Sequence, residues 1–316
     1  MPLNVPTGDV VGEKLSNRDK EEKATYEQSI DAVTRMILYK WINSGKFFDS
    51  VEGVIATGKE SVVLHGEQHF AIKVYKMTLS EFKNRSEYVY NDYRFKNPRG
   101  VLRIWAEKEF MNLHRMVRAG IKCPEPVRLK KHVMLMSLIG SNGVAARKLK
   151  DVVWDDDEHK TDYLSNQDFL KSECNMYFQA MTCMYEECRL VHGDLSEFNL
   201  LYHDGDVYVI DVSQAMDSSH PRALFFLLRD IENVLRFFGK IGTENLPSAT
   251  EIFNEITSLS MDPEKNLMVQ VENFEKDNRN VQLHEDKTKP ADMEWRLYDA
   301  EIAASGTHED PAAQFN

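Results

Sequence analysis

The chain has 316 residues and no apolar run approaching the roughly 18 residues that a membrane-spanning helix needs. Its first residues, Met1–Val5, contain neither a basic start nor an apolar stretch, so they do not indicate a secretory signal. Cysteine is scarce and has no C-x-x-C spacing of a metal site; the four are Cys123, Cys174, Cys183 and Cys188. We therefore expect reduced, buried thiols in a cytoplasmic protein with no membrane partner.

The composition is that of an ordinary globular protein. Hydrophobic residues make up 42% and charged residues 28%, which excludes a wholly disordered chain, a collagen-like repeat and a disulfide-stapled miniprotein. At about 150 residues per domain, the length suits two packed domains or lobes.

The net charge of −12 is spread unevenly along the chain. Residues 73–150 hold 18 lysines and arginines against 6 acidic residues, a local charge of +12, which leaves −24 for the remainder. A short basic run is usually ordinary surface charge, but this bias extends over 78 residues. Such a field attracts phosphate groups, so we expect this region to bind a nucleotide, RNA or both.

Hydrophobic periodicity and turn residues divide the chain into four segments. We predict a mobile segment over 1–24, a helix followed by a β-rich lobe over 25–140, a helical lobe over 141–257, and an acidic, partly ordered tail over 258–316. Glycines at 140–143 mark the hinge between the lobes. The predicted fold class is α+β, with a small antiparallel β lobe containing one key helix, a larger helical lobe and an extra N-terminal helix.

Individual elements follow from the same patterns. The predicted helices cover 25–46, 101–119, 164–187 and 222–238. The predicted strands cover 51–56, 61–65, 70–75, 132–138, 200–202 and 207–210, with one more candidate just before Lys130.

The strongest chemical signal is the run His-Gly-Asp-Leu-Ser-Glu-Phe-Asn at 192–199, followed by Asp211 at the end of an apolar strand. Phosphoryl transfer from ATP needs one carboxylate to position the acceptor, and an amide and a second carboxylate to hold Mg²⁺. Asp194 and Asn199 have the spacing of the kinase catalytic loop H-R-D-L-x-x-x-N. The alternative, that these residues only cap turns, does not explain both spacings and the preceding strand. We predict Asp194 as the catalytic residue, with Asn199 and Asp211 as ligands of Mg²⁺.

In this chemistry a cation contacts the α- and β-phosphates, and Lys73 in the middle of a predicted strand is the candidate. Alternation along a strand more often turns a lone lysine toward solvent, and that alternative stays open. The usual partner is a carboxylate on the following helix, where Glu107 and Glu109 both qualify by type. The apolar stripe of that helix includes Glu109 but not Glu107, so we predict a Lys73–Glu109 pair. The stripe comprises Trp105, Glu109, Leu113 and Met116.

The glycine loop Gly53–Glu60 nearly matches the phosphate loop G-x-x-x-x-G-K-[ST], but its last residue, Glu60, is not a hydroxyl ligand for Mg²⁺. The residues after it are strand-like, whereas a phosphate loop of that type opens into a helix. We therefore predict a loop between two strands that lies over the phosphates with its backbone, Lys59 and Ser61. It lacks the full G-x-G-x-x-G of ordinary protein kinases.

A buried strand, Val133–Leu138, runs into the hinge. Adenine needs one acceptor and one donor from extended backbone together with flat apolar contacts, and a hinge strand can provide both. We predict that Ser137 and Ile139 supply the backbone groups and that Met136 lies at the back of the pocket. An ordinary core strand has the same sequence features.

Taken together, these residues resemble the RIO family of atypical protein kinases, and its subfamily one more than the second or third. The resemblance extends from about residue 31 to residue 238. The matching stretches are Ala56–Ser61, Ala71–Tyr75, Trp105–Glu109, Cys123–Pro126, Val191–Asn199 and Ile210–Gln214.

The resemblance implies a bilobal protein-kinase-like fold, with ATP and Mg²⁺ bound between the lobes. It also implies serine/threonine kinase or ATPase activity with a phosphoaspartate at Asp211, which gives that residue a catalytic role as well. The biological setting it implies is late cytoplasmic maturation of the small ribosomal subunit, including 20S pre-rRNA processing. The expected partners are the pre-40S particle, its rRNA through the basic N-terminal lobe, and assembly factors.

The chain departs from ordinary kinases after Asp211, where Asp-Val-Ser replaces D-F-G and no A-P-E follows. ATP turnover coupled to ribosome binding is therefore at least as well supported as phosphorylation of a separate protein.

Two other functions stay open. One is a small-molecule phosphotransferase of the aminoglycoside- or choline-kinase type, which shares the H-G-D-x-x-x-x-N motif but usually inserts helical segments. The other is a non-catalytic assembly factor that senses nucleotide.

Overall fold

The structure is a computed structural model, and it describes residues 30–67, 69–76, 101–152 and 166–285. The segment predicted to be mobile, 1–24, lies outside the described residues. The predicted fold class is confirmed, because the chain forms a small lobe built on an antiparallel sheet and a mainly helical second lobe. None of the helices in these ranges is long and apolar enough to cross a bilayer.

The elements of the first lobe are α1 Ala32–Asn43, β1 Gly53–Thr57, β2 Ser61–Gly66, β3 Phe70–Tyr75, α2 Val101–Arg118, β4 Pro126–Lys130 and β5 Val133–Ser137. The hinge and second lobe contain β6 Gly140–Ser141, β7 Val144–Ala145, β8 Arg147–Lys148, α3 Asn166–Glu186, β9 Leu190–Val191, β10 Leu200–His203, β11 Asp206–Val209, β12 Met216–Asp217, α4 Ala223–Lys240, α5 Ala249–Thr257 and α6 Leu267–Glu285. A single 3-10 turn, Leu149–Asp151, follows β8.

The sheet of the first lobe is antiparallel and has the strand order β1-β2-β3-β5-β4. β3 is the central strand, and all five of its residues after Phe70 are buried. Alternation between core and solvent does not apply to this strand because helices cover both faces of the sheet. Lys73 is therefore only 5% exposed, and the solvent-facing alternative is wrong.

Helix α1 covers one face of this sheet. Its buried residues Ile37, Leu38 and Trp41 share a core with Ile72 and Val74 of β3. The helix begins at the N-cap Asp31, whose side chain accepts a hydrogen bond from the backbone N–H of Thr34 at 2.7 Å.

Helix α2 covers the opposite face, toward which Ala71, Lys73 and Tyr75 point. Its buried residues include Phe110 and Leu113, which lie in one continuous core with the strands of the second lobe. The helix therefore packs against both lobes at once, and this placement positions the cleft between them.

The second lobe is built on α3, α4 and α5, with short strands on the side facing the cleft. β8, β10 and β11 form a three-stranded sheet, and β9 pairs with β12. The run 192–199 leaves β9, and Asp211 follows β11, so these two strands carry the chemical motifs to the cleft. The apolar face of α4 is buried beneath them; it includes Phe226, Leu228, Ile231 and Phe238.

Within the predicted tail, 258–316, the described residues contain the helix α6. Val271 of α6 is fully buried, and the side chain of Glu275 accepts a hydrogen bond from the backbone N–H of Phe225 at 2.9 Å. That bond pairs a free N–H in the first turn of α4 with a carboxylate. Residues 267–278 thus pack as part of the second lobe, and those after 285 lie outside the described residues.

If α6 belongs to the folded lobe, Val271→Ala lowers the free energy of unfolding by about 2 kcal/mol, because two buried methyl groups are lost and a cavity remains. The matched control is Val269→Ala on the same helix, since Val269 is 54% exposed and its loss changes stability by less than about 0.5 kcal/mol. Urea denaturation measures both variants. Equal stability of the two variants would contradict the packing of α6.

Candidate active site

Lys73 is buried between two carboxylates, one from helix α2 of the first lobe and one from the second lobe. Its Nζ is 2.8 Å from both Oε1 and Oε2 of Glu109 and 2.9 Å from Oδ1 of Asp211. The Lys73 and Glu109 side chains are almost completely buried, whereas that of Asp211 is 46% exposed and accessible from the cleft. The structure therefore joins β3, α2 and the segment after β11 through one ammonium group.

The backbone at Asp211 turns its side chain toward this ammonium. Its φ is +61°, in the left-handed region that a residue other than glycine rarely adopts. Such a conformation costs of order 1–3 kcal/mol and persists where surrounding contacts enforce it, often at functional sites. Here Lys73 and the Ser213 hydroxyl both donate to Oδ1 of Asp211, the latter at 3.3 Å.

Tyr75 is a further part of this cluster that the sequence motifs did not single out. Its hydroxyl donates to Oε2 of Glu109, and its ring centroid lies 5.3 Å from Nζ of Lys73. Glu109 thus accepts hydrogen bonds from Lys73 and Tyr75 together, which compensates for burying its charge.

The charged groups of this cluster shift one another's pKa values. Burial alone lowers the pKa of Lys73, but the carboxylates of Asp211 and Glu109 outweigh it and hold that pKa well above its usual range. Burial raises the pKa of Asp211, but the Lys73 ammonium more than reverses this, so the pKa lies below its usual value. The lysine therefore stays protonated and Asp211 stays ionised at neutral pH.

The catalytic-loop candidate begins with a buried histidine. Nε2 of His192 lies 3.0 Å from the carbonyl oxygen of Ile210, and Nδ1 accepts a hydrogen bond from the N–H of Asp194 at 3.3 Å. These partners fix the neutral ring with its hydrogen on Nε2, and burial lowers the pKa of His192. The ring thus connects the loop before Asp194 to the strand end before Asp211.

Asp230 of α4 holds the backbone of the same loop. Its Oδ2 accepts the N–H of Gly193 and its Oδ1 accepts the N–H of Leu195, both at 2.8 Å. Asn233 adds a hydrogen bond of 3.2 Å to the carbonyl of Leu195. Asp194 lies between the two clamped residues, so its position is set by a rigid helix of the second lobe.

Asp194 and Asn199 contact each other within this loop. Nδ2 of Asn199 donates to the carbonyl of Asp194 at 2.9 Å and to its Oδ2 at 3.3 Å. Burial and the charge of Asp211 raise the pKa of Asp194, against the opposing effects of Arg229 and Asn199. A carboxylate whose pKa is raised is a better proton acceptor, which suits general-base chemistry on water or a hydroxyl group.

The few oxygen ligands near Asp211 suit Mg²⁺, whereas a metal ion bound by protein side chains alone would need more of them. In the described ranges, no group of three or more His, Cys, Asp or Glu side chains could hold a metal ion. Mg²⁺ typically takes one or two protein oxygens and completes its shell with phosphates and water. Asn199 donates its Nδ2 to the backbone and side chain of Asp194, so its amide oxygen is the atom left for the predicted metal contact, while the side chain of Asp211 is 46% exposed.

The hinge residues Ser137 and Ile139 already use one backbone group each. The N–H of Ser137 donates to the carbonyl of Glu125 at 2.9 Å, and the carbonyl of Ile139 accepts from Ala146 at 2.8 Å. The other two groups, the carbonyl of Ser137 and the N–H of Ile139, are those left for the predicted adenine contact. These supply one acceptor and one donor, the pair that adenine requires.

The loop between β1 and β2 is held by one hydrogen bond within the loop and one from Lys76. The N–H of Gly58 donates to the carbonyl of Ser61 at 2.9 Å, and Nζ of Lys76 donates to the carbonyl of Gly58 at 2.7 Å. Lys59 is exposed at the turn. The charge of Glu60 makes a minor contribution to the raised pKa of Asp194, after burial and the charge of Asp211. The described hydrogen bonds and ion pairs do not link Lys59 or Ser61 to Lys73, Asp194 or Asp211.

Comparison with known proteins identifies the family. A sequence pattern of the RIO domain matches residues 60–251. The chain is 52% identical to the serine/threonine-protein kinase RIO3 of Caenorhabditis elegans over 99% of its length, and 42% identical to human RIO3 over 82%. This chain belongs to the RIO kinase family. It spans 64% of the nematode relative and 52% of the human one, so both are longer proteins.

The subfamily prediction is not confirmed. Subfamily one is represented by rio1 of Schizosaccharomyces pombe, which is 43% identical over 78% of this chain, less than the nematode RIO3. The fold matches the crystal structure of the Rio2 kinase–ADP/Mg²⁺–phosphoaspartate complex from Chaetomium thermophilum, with a TM-score of 0.51. That match has 20% sequence identity and covers 85% of this chain and 75% of the other, so it shows the shared fold.

Asp230→Asn tests the anchoring of the catalytic loop. The amide replaces one acceptor oxygen by an NH₂ group that faces a backbone N–H, so we expect the free energy of unfolding to fall by about 2–4 kcal/mol. Urea denaturation measures the change. Glu232→Gln, on a partly exposed residue of the same helix, is the control and shifts stability by less than about 0.5 kcal/mol. Similar losses for both variants would show that Asp230 has no special anchoring role.

Proposed function

We propose that this chain is an atypical serine/threonine kinase and ATPase that binds ATP with Mg²⁺ in the cleft between its lobes. The observation that carries the proposal is the position of Lys73, within 2.9 Å of both Glu109 and Asp211. Phosphoryl-transfer sites place a cation on the α- and β-phosphates and a carboxylate on Mg²⁺. The RIO relatives, which are named serine/threonine-protein kinases, and the ADP/Mg²⁺ complex of the Rio2 kinase support the same interpretation.

The remaining site residues take roles around one nucleotide. Lys73 contacts the phosphates while Glu109 holds its ammonium in place. Asn199 and Asp211 bind Mg²⁺, which neutralises charge on the phosphates. Ser137 and Ile139 bind adenine through the backbone, and Lys59 and Ser61 lie on the loop over the phosphates.

The ATPase step uses Asp211 as nucleophile. An oxygen of its carboxylate attacks the γ-phosphorus, the bond from that phosphorus to the β,γ-bridging oxygen breaks, and ADP leaves with the electron pair. Water then attacks the aspartyl phosphate, Asp194 accepts the proton, and phosphate is released with the carboxylate restored. The low pKa of Asp211 and the raised pKa of Asp194 suit these two roles. The Rio2 kinase from Chaetomium thermophilum was crystallised as a phosphoaspartate complex of this kind.

The short connection after Asp211 favours this ATPase step over phosphorylation of a peptide. Only β12 and a few turn residues separate Asp211 from the start of α4 at Ala223. Conventional kinases bind a peptide on a longer segment at this point, between D-F-G and A-P-E. Membership of the RIO family also gives no support to the small-molecule phosphotransferase alternative.

Turnover of Mg²⁺-ATP by the purified chain tests the proposal. Asp194→Ala removes the base and Asp211→Asn removes the nucleophile and metal ligand, so each lowers turnover by about 100-fold or more. Asp204→Asn is the matched control, because that aspartate lies at the exposed β10–β11 turn, and it retains wild-type turnover. Unchanged turnover in either site variant would contradict the proposal, and nucleotide binding without turnover would favour the non-catalytic alternative.

A second readout is the phosphoenzyme itself. With γ-labelled ATP, we expect a hydroxylamine-labile protein phosphate in the wild type and none in Asp211→Asn. In Asp194→Ala the label accumulates, because the base for its hydrolysis is missing. Label on a hydroxyl of an added protein acceptor would instead support kinase activity.

In the cell we propose that the chain acts in late cytoplasmic maturation of the small ribosomal subunit, with assembly factors, on the pre-40S particle. The composition of the region 73–150 supports an RNA contact. Part of that charge is used inside the protein, because Lys73 forms a buried ion pair with Glu109 and Arg115 a partly buried one with Asp217. The chain is more similar to the nematode RIO3 than to the yeast rio1, so we propose subfamily three rather than one.

RNA affinity of the purified chain should fall steeply with salt. If the basic lobe contacts several phosphates, the association constant drops by about 100-fold between 50 and 200 mM salt, as counterions are released. Fluorescence anisotropy with a labelled single-stranded RNA measures the slope. An association constant that does not change with salt concentration would contradict the RNA contact.

A further inference from the structure

Helix α2 makes buried polar contacts with the second lobe beyond the Lys73–Glu109 pair. Nδ2 of Asn112 donates to the carbonyl of Val212 at 2.9 Å, and Asn112 is 5% exposed. Val212 directly follows Asp211, and Asn112 lies three residues after Glu109. One turn of α2 thus contacts the ammonium cluster through Glu109 and the backbone beside Asp211 through Asn112.

One turn further along α2, Arg115 contacts the second lobe at two points. Nη1 donates to Oδ1 of Asp217 at 2.8 Å, and Nη2 donates to the carbonyl of Cys188. Cys188 lies just before β9, the strand that enters the catalytic loop, and Asp217 lies in β12, which follows the Asp211 segment. The planar guanidinium of Arg115 therefore links two parts of the second lobe: the chain just before β9, which leads into the catalytic loop, and β12, which follows Asp211.

The surroundings of Arg115 make this contact stronger than a surface ion pair. Its side chain is 9% exposed and that of Asp217 is 36% exposed, so solvent screens the pair only partly. The neighbouring α2 residues Leu113 and Met116 are buried in the core shared with the second lobe. Beyond the helix, the carbonyl of Lys122 accepts the N–H of Val209 at 2.9 Å. Helix α2 is thus fixed to the second lobe along its C-terminal half.

We propose that Asn112 and Arg115 are positioning residues that hold Asp211 and the catalytic loop in register with Glu109. Contacts within the fold then hold the Lys73–Glu109 pair and the segment after Asp211 together. This inference rests on the proposed function, because the groups it positions are those that bind Mg²⁺ and nucleotide. Neither residue touches the nucleotide site directly, so both act through Asp211 and the strands β9 and β12.

The test is the Mg²⁺ dependence of nucleotide binding and turnover. Arg115→Met lets the Asp211 segment shift, and because small misplacements of reacting groups are costly, the Mg²⁺ concentration for half-maximal ADP binding rises about fivefold or more. Turnover falls about tenfold or more, while ADP affinity without Mg²⁺ changes less than about twofold, because the hinge is untouched. Titration calorimetry measures binding, and thermal unfolding confirms that each variant is folded under the assay conditions.

Two further variants separate positioning from a general loss of stability. Asp217→Asn shifts the Mg²⁺ midpoint in the same direction as Arg115→Met. The double variant is no worse than Arg115→Met alone, because Arg115→Met already removes the contact with Asp217. Arg115→Lys keeps a cation near Asp217 but loses the planar fork, so its Mg²⁺ midpoint lies between those of the wild type and Arg115→Met. Asn112→Leu shifts the midpoint in the same direction.

The matched control is Arg103→Gln. Arg103 pairs with Glu107 on the same helix, but its side chain is 49% exposed, and its loss leaves the Mg²⁺ midpoint unchanged. A wild-type Mg²⁺ midpoint in folded Arg115→Met, or equal shifts in Arg115→Met and Arg103→Gln, would overturn the inference. Failure of the proposed function has a different result, namely a wild-type chain that binds ADP without any dependence on Mg²⁺.

Discussion

The architecture depends on a buried ammonium placed between two carboxylates. Lys73 cannot be buried without opposite charge, and Glu109 cannot be buried without donors, so each needs the other. Because Asp211 completes the arrangement from the second lobe, the two lobes meet at a charged group and not only at an apolar surface. In the proposed function, the phosphates of a nucleotide meet an ammonium that Glu109 and Asp211 already hold in place.

Three rigid elements maintain that arrangement. The central strand β3 holds Lys73 with both of its edges hydrogen-bonded. Helix α2 carries Glu109 and extends into the core of the second lobe. Helix α4 holds the catalytic loop through Asp230, which accepts two backbone N–H groups. The predicted catalytic and metal-binding residues Asp194, Asn199 and Asp211 therefore lie on loops, and buried regular elements determine the positions of those loops.

Local motifs predicted much of this site because phosphoryl transfer requires particular residue types at short spacings. The run 192–199, Asp211 and the choice of Glu109 over Glu107 follow from spacing and helical periodicity, although their catalytic roles stay predictions. Alternation misjudged Lys73, since it assumes one solvent-exposed face, whereas both faces of the central strand β3 are covered. The Arg115–Asp217 contact joins residues 102 positions apart, and no local pattern indicates such a pair. Asp230 was detectable in principle, as an acidic residue on the apolar face of α4.

The central claim is that Lys73, Asp194, Asn199 and Asp211 surround a single nucleotide–Mg²⁺ unit. A crystal structure of the chain grown with ADP and Mg²⁺ tests it most directly. We expect Lys73 within hydrogen-bonding distance of both Glu109 and a phosphate, and Mg²⁺ bound by Asn199 and Asp211. Nucleotide bound elsewhere, or Mg²⁺ held without either of those two side chains, would contradict the claim.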